Sequence, residues 1–243
     1  MTRRPTSLAL SAVGWVGFGA VTLWTAAFLA GVLVPRTVDA PVRTTPGPAL
    51  AVDVALLLLF ALQHSVMARR SVKARLARRV PGDLERATYV LATDLCLVLL
   101  LALWQPVQGR VWHLDGPAAV VVWVLCAAGW ALAVASTFAV DHLELTGLRQ
   151  AGWAPRSRRS GAGLKEDGLY ALVRHPLMTG LLVAFWATPH LGVGHLVFAL
   201  AATGYIAVGT AFEERDLRAS FGTAYDAYAA RVPALVPGLR RGR

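Results

Sequence analysis

Apolar and polar residues follow one another along this chain in long blocks, not in the short alternation of a soluble fold. Apolar runs cover roughly residues 8–33, 49–67, 87–104, 118–140, 176–188 and 194–212. Five of them reach or approach the ~20 residues that a helix needs to cross a bilayer core. The run 176–188, closed by Pro189, is shorter and reads as a leg that forms a hairpin with the last span. The pattern predicts an all-α polytopic membrane bundle of five full spans plus one short helical leg. It forms a single domain over residues 1–243, with a cytoplasmic tail at 213–243.

The polar blocks carry the punctuation expected between helices. Residues 35–48 are rich in Pro and Thr, and Pro81-Gly82 interrupts the basic stretch 68–86. Gly152, Pro155, Gly161, Gly163 and Gly168 break the longest polar segment, 141–175. Gly161-Ala162-Gly163 has no strand before it, so a Rossmann domain is not predicted. The first apolar run lacks a small-residue cleavage site and reads as a retained span.

Composition agrees with a membrane setting. The chain is 56% hydrophobic and 16% charged, where soluble domains carry about 25% charged residues. A net charge of +10 would suit nucleic acid, but its placement argues otherwise. One basic cluster is Arg69, Arg70, Lys73, Arg75, Arg78 and Arg79, and another is Arg156, Arg158, Arg159 and Lys165. Of the 24 Lys and Arg residues, all but Arg36, Arg43 and Arg110 fall on one side of the predicted spans. This is the positive-inside pattern, with both termini cytoplasmic and anionic membrane lipid, not nucleic acid, as the partner. Cys96 and Cys126 lie inside apolar runs, and they make no disulfide framework or CxxC pair. His190 and His195 do not share a helical face, so no metal site is expected.

The unusual polar residues gather at the cytoplasmic ends of the spans: His64, then Asp141, His142 and Glu144, then Arg174-His175, then Glu213, Glu214 and Asp216. Asp94 lies near mid-depth of the third span, where a charge costs about 2.5–3.5 kcal/mol, so it should face a bundle interior. A polar pocket opening to the cytosol is expected. Pro176 suits the first position of a helix and pushes His175 out of the α region. The N–H groups of Leu177, Met178 and Thr179 would then make an anion site, with Gly180 leaving room for a ligand and Arg174 offering a carboxylate fork. Glu213 and Glu214, read as a helix C-terminus, oppose the helix dipole and require a cation, either Arg218 or a positively charged ligand. Such a pocket suits a zwitterionic amino-acid group beside a sulfonium. In the tail, Leu217, Phe221, Tyr225 and Tyr228 fall on one predicted helical stripe that could lid the pocket, ended by Val232-Pro233 and Val236-Pro237.

These residues carry a resemblance. The set Arg174-His175-Pro176-Leu177-Met178-Thr179-Gly180, Glu213-Glu214, Phe221-Gly222, Tyr225, Tyr228, Val232-Pro233 and Pro237 is similar to the isoprenylcysteine carboxyl methyltransferase-related superfamily of membrane enzymes. The segments LQHSVMAR (62–69), PGDLERATYVL (81–91), GWALAVASTF (129–138) and HLELTGLRQ (142–150) resemble its methanethiol S-methyltransferase branch, related to NnrU-like proteins. Met178 stands where the superfamily motif has Tyr, and Leu143, Glu144 and Thr146 replace expected Phe, Asp and Phe.

The resemblance implies an integral enzyme of a bacterial cytoplasmic membrane that moves a methyl group from S-adenosylmethionine to a small thiol, with its site facing the cytoplasm. It implies cofactor contacts from Arg174, His175, Pro176, Met178, Gly180, Glu213, Glu214 and Tyr225. The acceptor is the thiolate, so a base or a cation beside it is needed. His64 and His142 are the first candidates for the base and Arg149 for the cation. A prenylcysteine-type carboxyl methyltransferase and a non-catalytic NnrU-like membrane protein stay open as rivals. Transport would require paired broken helices, and there is one short leg.

Overall fold

In the computed structural model, the described residues are 5–42, 44–155 and 163–238. Arg3, Arg4, Arg43, Arg156, Arg158, Arg159 and Gly161 lie outside them. The long helices are α1 (Pro5–Ala30), α2 (Pro46–Ala68), α4 (Glu85–Leu103), α5 (Gly116–Val140) and α9 (Val193–Phe221). All five are long and apolar enough to cross a membrane. The short leg is α8 (Pro176–Trp186). Between these lie α3 (Arg70–Leu76), α6 (His142–Leu145), α7 (Leu148–Ala151) and a 3-10 turn (Gly168–Ala171), and α10 (Thr223–Arg231) follows α9. Two short strands, β1 (Arg110–His113) and β2 (His190–Gly192), pair with each other and had no sequence signal.

The last helix differs from the sequence expectation. Apolarity ends near Phe212, but no Gly or Pro follows until Gly222, so α9 continues to Phe221. Glu213 and Glu214 are therefore inside the helix, and the dipole argument made for them does not apply. Gly222, at φ +53, makes the stop that other residues resist. The expected stripe is thereby split, with Leu217 and Phe221 on α9 and Tyr225 and Tyr228 on α10.

The described residues group into two compact units. The first holds α1 to α4, α6, α7 and residues 191–198. In it α4 packs on both α1 and α2. Asp94 is buried there, and a Cβ on Gly17 of α1 would lie 2.7 Å from its Oδ2. The Asp39 carboxylate accepts the N–H groups of Gly192 and His195, satisfying donors at the start of α9.

The second unit holds α5, the 3-10 turn, α8, the rest of α9 and α10. Its main contact is α5 on α8, closed by small residues. A Cβ on Gly129 would meet Ala184 N at 2.6 Å, and one on Gly180 would meet Ala133 N at 2.6 Å. This is a small-xxx-small seam on both helices, Gly129/Ala133 against Gly180/Ala184. Gly180 thus makes room for the backbone of α5.

Candidate functional site

In the second unit, α8 begins as its sequence dictates. His175 at the N-cap is non-helical, with φ −126 and ψ 66, and Pro176 occupies the first turn. The N–H of Thr179 bonds the carbonyl of His175 at 3.0 Å, so it is not part of an anion site. Leu177 and Met178 keep N–H groups that the helix itself cannot pair.

The chain just after α10 runs across this helix start. Arg174 N–H donates to Pro233 O at 2.9 Å and His175 N–H to Ala234 O at 3.1 Å. The Thr179 hydroxyl donates to Leu235 O at 2.7 Å. The Val232-Pro233 break, required to end α10, therefore also supplies carbonyls to the segment before α8.

Arg174 is committed to this arrangement. Its Nε donates to Glu214 Oε1 at 3.0 Å and its Nη2 donates to the same oxygen. Nη1 donates to the carbonyls of Ala229 and Val232. Four of the five guanidinium N–H groups are thus used inside the fold, and both partners' side chains are only 9% exposed. Arg174 thereby joins the start of α8 to α9 and α10. The cation expected to offset the acids is Arg174 at Glu214, helped by Arg218 at 3.4 Å from Glu214 Oε2.

Glu213 is placed differently. Its side chain is 52% exposed, and its Oε2 lies 3.3 Å from Nδ1 of the buried His175. Nε2 of His175 lies 3.4 Å from Glu214 Oε1 without a hydrogen bond. Tyr225 is wholly buried, with Arg174 6.0 Å and Arg218 5.4 Å from its ring centre. Its hydroxyl lacks a well-formed hydrogen bond. Burial pushes its pKa up, Glu214 adds to this, and Arg174 opposes it. Tyr228 donates to Tyr170 O at 2.7 Å, and burial drives its pKa up to about 12. Met178 is half-buried on the first turn of α8.

The first unit holds His64, His142 and Arg149. Tyr89 lies within 2.9 Å of a ring nitrogen of His64, Phe60 stacks on the same ring, and Thr93 Oγ1 is 3.4 Å away. The Trp15 indole N–H donates to Nε2 of His142 at 2.9 Å, which requires that nitrogen to be unprotonated. Burial lowers the pKa of His142 and Asp141 opposes the shift. Asp141 also caps α6 by accepting from Glu144 N–H, and takes Arg149 Nε at 2.6 Å. A further Arg149 donor goes to the Pro155 carbonyl. Arg149 is thus tied down on both sides.

Three neighbours of these candidates escaped the sequence reading: Trp15, Arg86 and Tyr89. Arg86 and Tyr89 had a usable signal, being three residues apart and hence on one helical face. The Arg86 guanidinium lies 5.2 Å from the Tyr89 ring centre. Trp15 had none, since its partner is 127 positions away.

Residues 54–232 match the NnrU protein family. The chain belongs to that family. Every candidate residue named above for the cofactor or the acceptor falls inside the matched stretch. Among its relatives, Methanethiol S-methyltransferase 2 of Bradyrhizobium diazoefficiens is 45% identical, over 98% of this chain and 93% of that one. Methanethiol S-methyltransferase of Mycobacterium tuberculosis is 46% identical, over 86% and 87%. Nurim of Sus scrofa is 36% identical, over 70% and 68%. No solved structure matches the chain.

Proposed function

We propose that this protein is a multi-pass membrane methyltransferase that methylates methanethiol to dimethyl sulfide with S-adenosylmethionine as donor. The observation that carries the reading is the likeness to named methanethiol S-methyltransferases, at 45% identity over 98% of this chain and 46% over 86% of it. The one-sided distribution of Lys and Arg supports cytoplasmic termini and a site on that face of a bacterial membrane.

The second unit suits a ligand that has an amino-acid end beside a cation. It offers a half-exposed carboxylate at Glu213, two N–H groups at the start of α8 that the helix itself cannot pair, and buried polar atoms on His175 and Tyr225 without well-formed hydrogen bonds. S-adenosylmethionine supplies a methyl group already activated on a sulfonium. Glu213 faces its cationic end, while Leu177 and Met178 present N–H groups to its carboxylate. His175, Pro176 and Tyr225 shape the surrounding wall. Arg174 and Glu214 act on the donor indirectly, by fixing the start of α8 against α9 and α10. Gly180 lets α8 approach α5.

On the acceptor side, His64 is the base, because its ring contacts a hydroxyl through which a proton can pass. His142 and Arg149 are positioning residues, held by Trp15 and Asp141. Aligning two reactants is most of what an activated donor requires.

The test is purified protein in nanodiscs with donor and methanethiol, followed by gas chromatography of dimethyl sulfide and calorimetric titration of the donor. Enzymatic dimethyl sulfide together with donor binding is the expected result. Absence of both product and binding would overturn the reading.

A further inference from the structure

At the ends of α2 and α3 and the start of α4 there is a small cavity lined by Met67, Lys73, Leu76, Glu85, Arg86 and Tyr89. Met67 and Leu76 give it apolar walls, Lys73 and Arg86 bring two cations, and Glu85 brings one acid. Its volume is about 20 Å³, counted as space open to the centre of a water molecule. One water needs roughly 10–15 Å³ on that measure. The cavity therefore takes a ligand of about two heavy atoms.

Tyr89 lines the cavity, and its hydroxyl contacts the imidazole of His64, which does not line it. Arg86 sits over the Tyr89 ring and is itself fixed by donating Nε to Leu145 O at 2.6 Å. Met67 is held by the Gln63 side chain at 3.2 Å. One wall, one cation and the route for a proton are thus each anchored by a separate contact.

We propose that this cavity is the acceptor subsite for a one-carbon thiol, and that Tyr89 is a catalytic residue relaying the thiol proton to His64. The inference rests on the methyltransferase reading. The new carbon–sulfur bond forms from the acceptor sulfur as the methyl's bond to the donor sulfonium breaks, its electron pair returning to the donor sulfur. The thiol proton passes to the Tyr89 oxygen while the Tyr89 proton passes to a His64 ring nitrogen, and His64 later returns it to water. Lys73 and Arg86 favour the thiolate over the thiol. Met67 and Leu76 exclude longer alkyl chains.

Three measurements test it. Tyr89→Phe should lower kcat about 10²- to 10⁴-fold, the usual worth of a positioned proton carrier, with donor affinity unchanged. The wild type should prefer methanethiol over ethanethiol by about 10- to 200-fold, as for one methylene in a tight pocket, and Met67→Ala or Leu76→Ala should narrow that preference. An activity-independent measurement uses Met67→Cys in a Cys96→Ala, Cys126→Ala background. Methyl methanethiosulfonate should label the introduced thiol at least ~10-fold faster than the propyl reagent, by the same steric limit.

Equal labelling rates would overturn the subsite whether or not the enzyme turns over. Size-selective labelling in a protein that methylates no thiol would keep the small-ligand cavity but sink the methyltransferase reading and the relay with it. An active enzyme with unaltered selectivity in both alanine variants would sink the subsite alone. If Lys73→Gln changed only the response of activity to anionic lipid in the nanodisc, leaving the acceptor KM unchanged, the cavity would belong to a lipid phosphate and the proposal would fail.

Discussion

Arg174→Ala separates a latch from a ligand contact. The guanidinium and the Glu214 carboxylate are each 9% exposed, so removing one leaves the other charge buried without its partner. Breaking a buried pair in this way typically costs about 3–5 kcal/mol. At roughly 2–4 °C per kcal/mol for a chain of this size, the melting temperature should fall by about 6–20 °C. The lost bonds to the Ala229 and Val232 carbonyls act in the same direction, because they release the end of α10 from α8. Glu214→Gln should destabilise comparably, since it strands Arg174. The double variant Arg174→Leu, Glu214→Leu should lose less than the two single losses combined, because no buried charge of the pair is left. The assay is thermal unfolding in detergent, paired with calorimetric titration of S-adenosylhomocysteine at a temperature where each variant is folded. A melting temperature within ~2 °C of the wild type, less than 1 kcal/mol on that scale, combined with a large loss of ligand affinity, would refute the latch. It would restore Arg174 as a direct carboxylate contact.

Three further expectations follow from neighbouring geometry. Glu213→Gln should weaken affinity for the sulfonium donor more than for its neutral product and leave the melting temperature nearly unchanged, as expected of a half-exposed side chain; equal weakening of both ligands would count against a charge contact. Gly180→Ala should lower the melting temperature by about 2–12 °C, the range for 1–3 kcal/mol of overpacking, because the new Cβ meets backbone atoms of Ala133 and Gly129; an unchanged melt with lost ligand binding would mean that the gap serves the ligand instead. His142 has a pKa below its ordinary 6.5 in the fold, so its stabilising contribution is present above that pH and is lost as pH falls below it. Melting temperatures at pH 7 and pH 5 should therefore differ less in His142→Gln than in the wild type, and an identical difference would remove His142 from the acid response.

What the sequence made legible was whatever depends on neighbours along the chain. Six apolar runs became five long helices and one short one, because length and hydropathy are local properties. The Pro176 start of α8 was legible for the same reason. The end of α9 was not, since a membrane span and a helix stop for different causes. Hydropathy falls at Glu213, but the hydrogen-bond ladder continues until Gly222. The pairing of Arg174 with Glu214, forty positions apart, also lay beyond sequence reasoning, as did that of Gly180 with Ala133 across a helix seam.

This difference changes how a charged motif should be read. Arg174, His175, Glu213 and Glu214 form one cluster in the sequence pattern, and the obvious inference is that all of them serve one ligand. In the fold, adjacent glutamates on α9 separate into unlike environments, because successive helical positions do not face the same way. Glu214 is turned inward, where two arginines neutralise it. Glu213 remains half-exposed, with His175 Nδ1 3.3 Å from its Oε2. Recognition of a cation requires negative charge that the protein has not already balanced, and of these two residues Glu213 alone meets that condition. His175, between the two carboxylates, is the group through which the locked half of the motif can hold the open half in place.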